Sequence, residues 1–270
     1  MPELPEVETT VRGLRANILD RKVTSVTVRQ PRLRWPVKNN IKTNIIGRNF
    51  LNINRRGKYI LLGNENGALI IHLGMSGSLR IIKDNKIYEK HDHIDISFIN
   101  GTSLRYRDPR RFGSFHWSVD PENHFLLKNL GPEPLGNKFN GEYLYRLSRG
   151  KNVTIKNFIM NAKVVVGVGN IYANEALFLS NIRPSIRAKR LTKKRYEDLV
   201  VCIVKVLRDS INKGGTTLKD FVNGNNQPGY FKQQLNVYGR LEEPCKKCGT
   251  LIKLLRISQR SSYFCPKCQI

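Results

Sequence analysis

Apolar residues Val7, Val11, Leu14 and Ile18 recur at helical spacing behind Pro5, Glu6 and Glu8. A proline in a first turn lacks only an N–H that would go unpaired there, and acidic side chains suit the positive end of the helix dipole. The pattern therefore predicts a short N-terminal helix. The period then changes. Residues 22–28, 59–62, 68–73, 79–82, 94–98 and 103–106 are short runs rich in Val and Ile between Gly, Asn and Asp turns, which predicts a mainly antiparallel sandwich or barrel. Gly131-Pro-Glu-Pro-Leu135 neither continues a strand nor starts a long helix and reads as a hinge. Beyond it the spacing predicts helices over 142–148, 154–160, 171–180 and 192–211. Residues 215–235, rich in Gly, Asn and Gln with few apolar anchors, read as a mobile loop ahead of a cysteine-bearing terminal module.

The chain has 270 residues, 40% of them hydrophobic, which suits a folded chain of about two domains rather than a disordered basic tail. Residues 1–18 carry Glu3, Glu6, Glu8, Arg12 and Arg15 where a signal peptide would be apolar, and no run reaches the length of a membrane span. Export and membrane insertion are not expected. The formal charge is +26, and it is spread: +9 over 1–136, +12 over 137–239 and +5 over 240–270. A solubilising tail would concentrate that charge, whereas a polyanion lying across the molecule would draw on every segment. Arg (24) is as common as Lys (23), which argues against a lysine-rich genome bias and for nucleic acid as the partner.

Cys245-x2-Cys248-x16-Cys265-x2-Cys268 is the strongest local signal. Two such pairs can set four thiolates around one ion with no open position, as structural zinc prefers; a rubredoxin-like iron site or an unmetallated module is the alternative. Lys253, Arg256 and Arg260 lie between the pairs among alternating apolar residues, the pattern of a stapled hairpin that presents Arg to phosphate or simply to water. Cys202 lies in the apolar run 199–207 and reads as core. Val164-Val-Val-Gly-Val-Gly-Asn170 misses the third glycine of a dinucleotide fingerprint, where Tyr172 stands, and fits a tight interhelical turn with N–H groups and Asn170 facing a phosphate. His91 and His93 flank Asp92 without an obvious third ligand and read as structural. Asp108-Pro-Arg-Arg-Phe-Gly113 is a turn bearing two guanidinium groups and a ring, either a basic loop or a wedge for stacked bases.

With Pro2-Glu-Leu-Pro-Glu-Val-Glu8, Arg56-Gly-Lys-Tyr59, His72-Leu-Gly-Met-Ser-Gly77, Asp108–Gly113, Gly167-Val-Gly-Asn-Ile-Tyr172 and the cysteine module in this order, the chain resembles the bacterial formamidopyrimidine-DNA glycosylases over nearly its whole length. Leu4 favours that family over its sister, endonuclease VIII, whose start usually has Gly there. The resemblance implies an α+β multidomain fold: an N-terminal antiparallel β-sandwich with flanking helices (1–133), a helical helix-two-turn-helix domain with a lesion loop (134–235) and a β-hairpin zinc finger (236–270). It implies a cytoplasmic, nucleoid-associated bacterial monomer that removes oxidised purines such as 8-oxoguanine and formamidopyrimidines from double-stranded DNA and nicks the abasic site, with one structural Zn2+ held by Cys245, Cys248, Cys265 and Cys268.

Once Met1 is removed, Pro2 is a terminal secondary amine, partly neutral at cellular pH. Its attack on the sugar C1′ displaces the damaged base and leaves an obligatorily cationic iminium that permits elimination of both flanking phosphates. The resemblance assigns Glu3 as the acid that opens the sugar ring, Glu6 as a proton relay and Lys58 as the cation near phosphate and leaving base. It places His72, Asn170, Tyr238 and Arg260 at the DNA backbone, Met75, Arg110 and Phe112 in the gap left by the extruded nucleotide, and Glu175 and Lys219 near the flipped base, with Lys151 a further DNA-binding residue. Two rivals remain: an enzyme with an endonuclease VIII-like preference for oxidised pyrimidines, and a non-catalytic zinc-ribbon DNA-binding protein, which accounts for charge and cysteines but not for Pro2, Glu3 and Lys58 together.

Overall fold

The N-terminal helix forms as α1 (Leu4–Ile18) in the computed structural model, which describes residues 2–83, 87–214 and 235–270. Its Val7, Val11, Leu14 and Ile18 are buried, as their spacing requires. The described residues divide into two compact units, one from the chain before Asn129 together with Lys213 and Gly214, the other from Asn129–Asn212 with the C-terminal segment. The expected hinge at 131–135 is tied down within the second unit: Gly131 N–H donates to Ala162 O and Val166 N–H to Pro132 O.

The first unit is a sandwich of two antiparallel four-stranded sheets. One contains β1 (Val23–Val28), β5 (Ser78–Lys83), β6 (Asp92–Phe98) and β7 (Thr102–Arg107) in the order β1-β6-β7-β5. The other is formed by β2 (Asn52–Arg56), β3 (Tyr59–Asn64), β4 (Gly67–His72) and β8 (Ser114–Ser118) in sequence order. Both sheets and α1 bury one shared core, including Ile60, Leu69 and Phe115 from one sheet and Ile94, Phe98 and Leu104 from the other. Three elements were missing from the sequence reading. Strand β2 buries only Ile53 of its five residues, β8 is mostly half-buried, and α2 (Asn40–Ile45) is too short to display a period. Their existence depends on their neighbours.

The second unit holds α3 (Gly141–Ser148), α4 (Ile155–Met160), α5 (Asn170–Leu179) and α6 (Lys193–Asn212), close to the expected spans. Asn140 caps α3 by accepting from Tyr143 N–H, and Thr154 caps α4 by accepting from Asn157 N–H. Helix α5 is buried on nearly every face, while α6 is amphipathic. Cys202, expected in the core, is only partly buried because it lies at the margin of the stripe formed by Leu199, Ile203 and Val206. The chain ends in the hairpin β9 (Lys253–Ile257) and β10 (Arg260–Phe264). The expected loop at 215–235 lies outside the described residues apart from Leu235.

Candidate active site and nucleic-acid interface

Pro2 is buried at the head of α1, beside two buried carboxylates: Glu3 is 3% exposed and Glu6 fully enclosed. They are joined as a capping box, with Glu3 N–H donating to Glu6 Oε2 at 2.8 Å and the Glu3 carboxylate accepting in return from the Glu6 backbone. One turn on, Glu8 accepts from Arg12 and from Arg55 of β2 at 2.9 Å. Burial pushes Glu8 up, but Arg55 and Arg12 together hold it below the usual carboxylate range. Arg55 also donates to Gly57 O at 3.0 Å, so one guanidinium links the helix to the turn bearing Lys58. That turn has two residues, because Arg56 pairs with Tyr59, and Gly57 takes its left-handed position (φ 57°). Glycine meets that geometry without steric cost.

Tyr59 pairs with His72 across β3 and β4, with rings 4.8 Å apart. His72 Nδ1 accepts from Gly74 N–H at 3.1 Å, leaving Nε2 to carry the hydrogen. Burial, with the positive charges of Lys58 and Arg34, pulls the imidazole down to about 4. At neutral pH His72 is therefore an uncharged donor beside the Lys58 cation.

Asp108, fully enclosed, organises the loop 108–113 from within. Its carboxylate accepts from Ser76 Oγ at 2.6 Å, Tyr106 Oη at 2.8 Å and Gly113 N–H at 2.9 Å, while its carbonyl meets His93 Nε2 at 2.8 Å. His93 is thus structural, as expected. Gly74 (φ +66°) lies so close to this loop that a Cβ there would stand 2.4 Å from the Phe112 carbonyl carbon. On the joined loops Met75 is 41% and Phe112 44% exposed, with the Arg110 guanidinium 4.9 Å over the Phe112 ring. Two apolar groups and a guanidinium thus project from a rigid base, a geometry able to fill a gap in a base stack.

In the second unit Asn170 is the first residue of α5 and donates to Ser261 O at 3.1 Å. Lys156, fully buried on α4, donates to Ser261 O and Ser262 Oγ, both at 2.7 Å. These bonds fix the hairpin whose turn, Ser258 and Gln259, takes left-handed backbone at both positions and leaves Arg260 exposed. Lys151 is exposed before α4. Glu175 is 2% exposed and accepts four hydrogen bonds, from Asn236 N–H and Nδ2 and from the N–H groups of Val237 and Tyr238. Its carboxylate sets the backbone at Tyr238, whose ring packs against Tyr263 at 5.2 Å. Lys219 lies outside the described residues. The sequence reading missed Lys156 and assigned no task to Asp108; only the Asp-Pro turn signal marked the latter.

The sulfur atoms of Cys245, Cys248, Cys265 and Cys268 all lie within 4.8 Å of one another, at 3.9 Å for Cys245 and Cys268 and 3.5 Å for Cys248 and Cys265. A tetrahedral ion with metal–sulfur bonds of about 2.3 Å separates its sulfurs by about 3.8 Å, so the cluster fits one zinc. No other group of this kind occurs among the described residues, including His91 and His93. Cys245 and Cys265 form a small core with Phe178 of α5, Val237 and Ile252.

Three family models match in order: the formamidopyrimidine-DNA glycosylase N-terminal domain over 1–115, the formamidopyrimidine-DNA glycosylase H2TH domain over 130–222, and the zinc finger found in FPG and IleRS over 242–270. The chain is 51% identical over 269 residues to a formamidopyrimidine-DNA glycosylase of Pseudomonas entomophila, and 51% identical over 270 residues to that of Nitrosococcus oceani, covering 100% of each. Lactococcus lactis Fpg in complex with DNA containing an abasic site superposes with a TM-score of 0.91 at 32% identity over 100% of both chains. MutM in complex with DNA containing carbocyclic 8-oxo-G gives 0.91 at 32% identity over 99% of both. Full-length identity and matching architecture together place the chain in the formamidopyrimidine-DNA glycosylase family.

Proposed function

We propose that this protein excises oxidised purines, 8-oxoguanine and formamidopyrimidines, from double-stranded DNA at the nucleoid and then cleaves the abasic strand, using Pro2 as nucleophile. The observation that carries the reading is the pairing of two buried carboxylates around the backbone next to Pro2, on a helix bonded through Glu8 and Arg55 to the Lys58 turn. With Met1 removed, the Pro2 nitrogen attacks C1′ and the base departs with the glycosidic electron pair, Lys58 countering the charge. Glu3 protonates the ring oxygen as the C1′–O bond opens, Glu6 exchanges protons with the site, and the amine loses its hydrogen to give the iminium. That cation draws electrons from C2′ as its proton leaves, expelling the 3′ phosphate, and a second elimination expels the 5′ phosphate.

Met75, Arg110 and Phe112 occupy the gap left by the flipped nucleotide, with Arg110 donating to the orphaned cytosine. His72, Lys151, Asn170, Tyr238 and Arg260 hold the backbone, and Glu175 and Lys219 serve the flipped base, Glu175 by fixing the Tyr238 segment. The division of labour follows 1–133 for chemistry, 134–235 for duplex binding and 236–270 for the finger. Zinc, when bound by the four cysteines, supplies structure alone.

Borohydride added during reaction with an 8-oxoguanine:cytosine duplex should trap a covalent adduct mapping to Pro2. An adduct at Lys58, or an undiminished yield from a chain retaining Met1, would overturn the mechanism.

A further inference from the structure

Residues 31–37 form a closed loop on the first unit. Val37 N–H donates to Pro31 O at 2.9 Å, Arg32 bridges Pro36, and Leu33 and Val37 are anchored in the core. Arg34 is exposed at the crest of this loop, and its N–H donates to Gly113 O at 3.2 Å, joining it to the end of the wedge loop 108–113. Its guanidinium lies 4.6 Å over the Trp35 ring, which is itself braced edge-on against His116 (5.6 Å) and Phe125 (6.1 Å). Stacking fixes the plane of the guanidinium while leaving its edge N–H groups open to solvent. No carboxylate among the described residues pairs with it, although Arg12, Arg29, Arg48, Arg55, Arg105, Arg107 and Arg240 all have one. A held but uncompensated arginine is what a phosphate site needs.

We propose that Arg34 is a further DNA-backbone residue, binding a phosphate of the lesion strand together with Lys58 and His72. The placement has an electrostatic signature as well as a geometric one: the charge of Arg34 reaches both members of the Tyr59–His72 pair, lowering His72 alongside burial and Lys58 and opposing the rise that burial imposes on Tyr59. The one anion that reaches His72, the enclosed Asp108 carboxylate, is occupied by Ser76, Tyr106 and Gly113, so among the described residues no carboxylate pairs with Arg34. The loop bond to Gly113 also couples this phosphate contact to the base of the wedge. The inference rests on the glycosylase reading for the identity of the strand.

Arg34→Gln and Arg34→Lys, each made in the processed, zinc-loaded full chain, test it. Binding to a duplex with a tetrahydrofuran abasic analogue and to the undamaged duplex is titrated across salt concentrations. The slope of log K against log salt should fall by about one unit for Arg34→Gln and return for Arg34→Lys. In Arg34→Gln the His72 ring, followed by NMR titration, should also gain its proton at a higher pH. An unchanged slope and an unmoved His72 in a variant that melts like the parent would sink the proposal. Normal 8-oxoguanine excision by the parent in that case leaves the glycosylase reading standing. Failure of the parent to excise, with the slope still lowered by Arg34→Gln, would overturn the activity and keep the phosphate contact.

Discussion

His72 shows how burial can hold a histidine uncharged at neutral pH. Its imidazole is pulled from an ordinary 6.5 to about 4, chiefly by burial, so between these values the unfolded chain binds a proton that the folded chain refuses. This part of the stability is fully present above pH 6.5 and lost as pH falls toward 4. His116, lowered likewise to about 4 by burial with His124 and Lys38, adds to the same window. His72→Gln keeps a neutral donor and removes the titration. It should retain most lesion binding and flatten the urea-unfolding midpoint between pH 6.5 and 4.5; an unchanged pH slope would place the titration elsewhere. On the proposed reading Arg110 faces the orphaned cytosine and Arg260 a phosphate. Arg260→Ala should weaken damaged and undamaged duplexes alike and lower the salt slope by about one unit. Arg110→Ala should instead erode the preference for cytosine by roughly 1–3 kcal/mol with the slope intact. Titrations with each base opposite the lesion separate the two.

At the scale of elements, the proposed wedge is a product of two loops that neither could build alone. Loop 72–77 approaches loop 108–113 through Gly74, and Asp108 gathers donors from Ser76, Tyr106 and Gly113 across the junction. Gly74→Ala would put a methyl 2.4 Å from the Phe112 backbone at a φ of +66°. The loops must then part, and a left-handed alanine adds roughly 1–2 kcal/mol on its own. The expected outcome is a lower unfolding midpoint and weakened binding to an abasic-analogue duplex, with undamaged-duplex binding much less affected. Equal losses on both duplexes would mean that the loops do not act as a wedge.

At the scale of the molecule, a charge of +26 shared by every segment supplies long-range attraction to a polyanion. The finger is welded to the second unit through a core containing Cys245 and Cys265, and through Lys156 and Asn170 on the hairpin backbone. Cys248→Ser should therefore lose zinc and duplex affinity together while the first unit still unfolds cooperatively at its own midpoint. Metal analysis, binding and calorimetry on one preparation check it, and undiminished binding by the zinc-free protein would reduce the finger to an ornament. Among the described residues no helix is long and apolar enough to cross a membrane.

Features that depend on local spacing were legible in the chain itself: helix α1 and its acidic first turn, the central strands, the four-cysteine module and the turn at Asp108. Each is written within a few turns of chain, where periodicity, metal-ligand spacing and glycine or proline stereochemistry act directly. Only the tertiary structure decided that Tyr59 pairs with His72, setting that ring beside Lys58. It also decided that Glu175 is spent on backbone 61 residues away, and that a lysine on α4 is buried against a hairpin 105 residues on. Strands β2 and β8 exist because a neighbouring strand completes their hydrogen bonds, not because their own residues insist on it. A buried charge must find partners wherever the fold supplies them, and no short-range pattern records which distant donor or acceptor that will be.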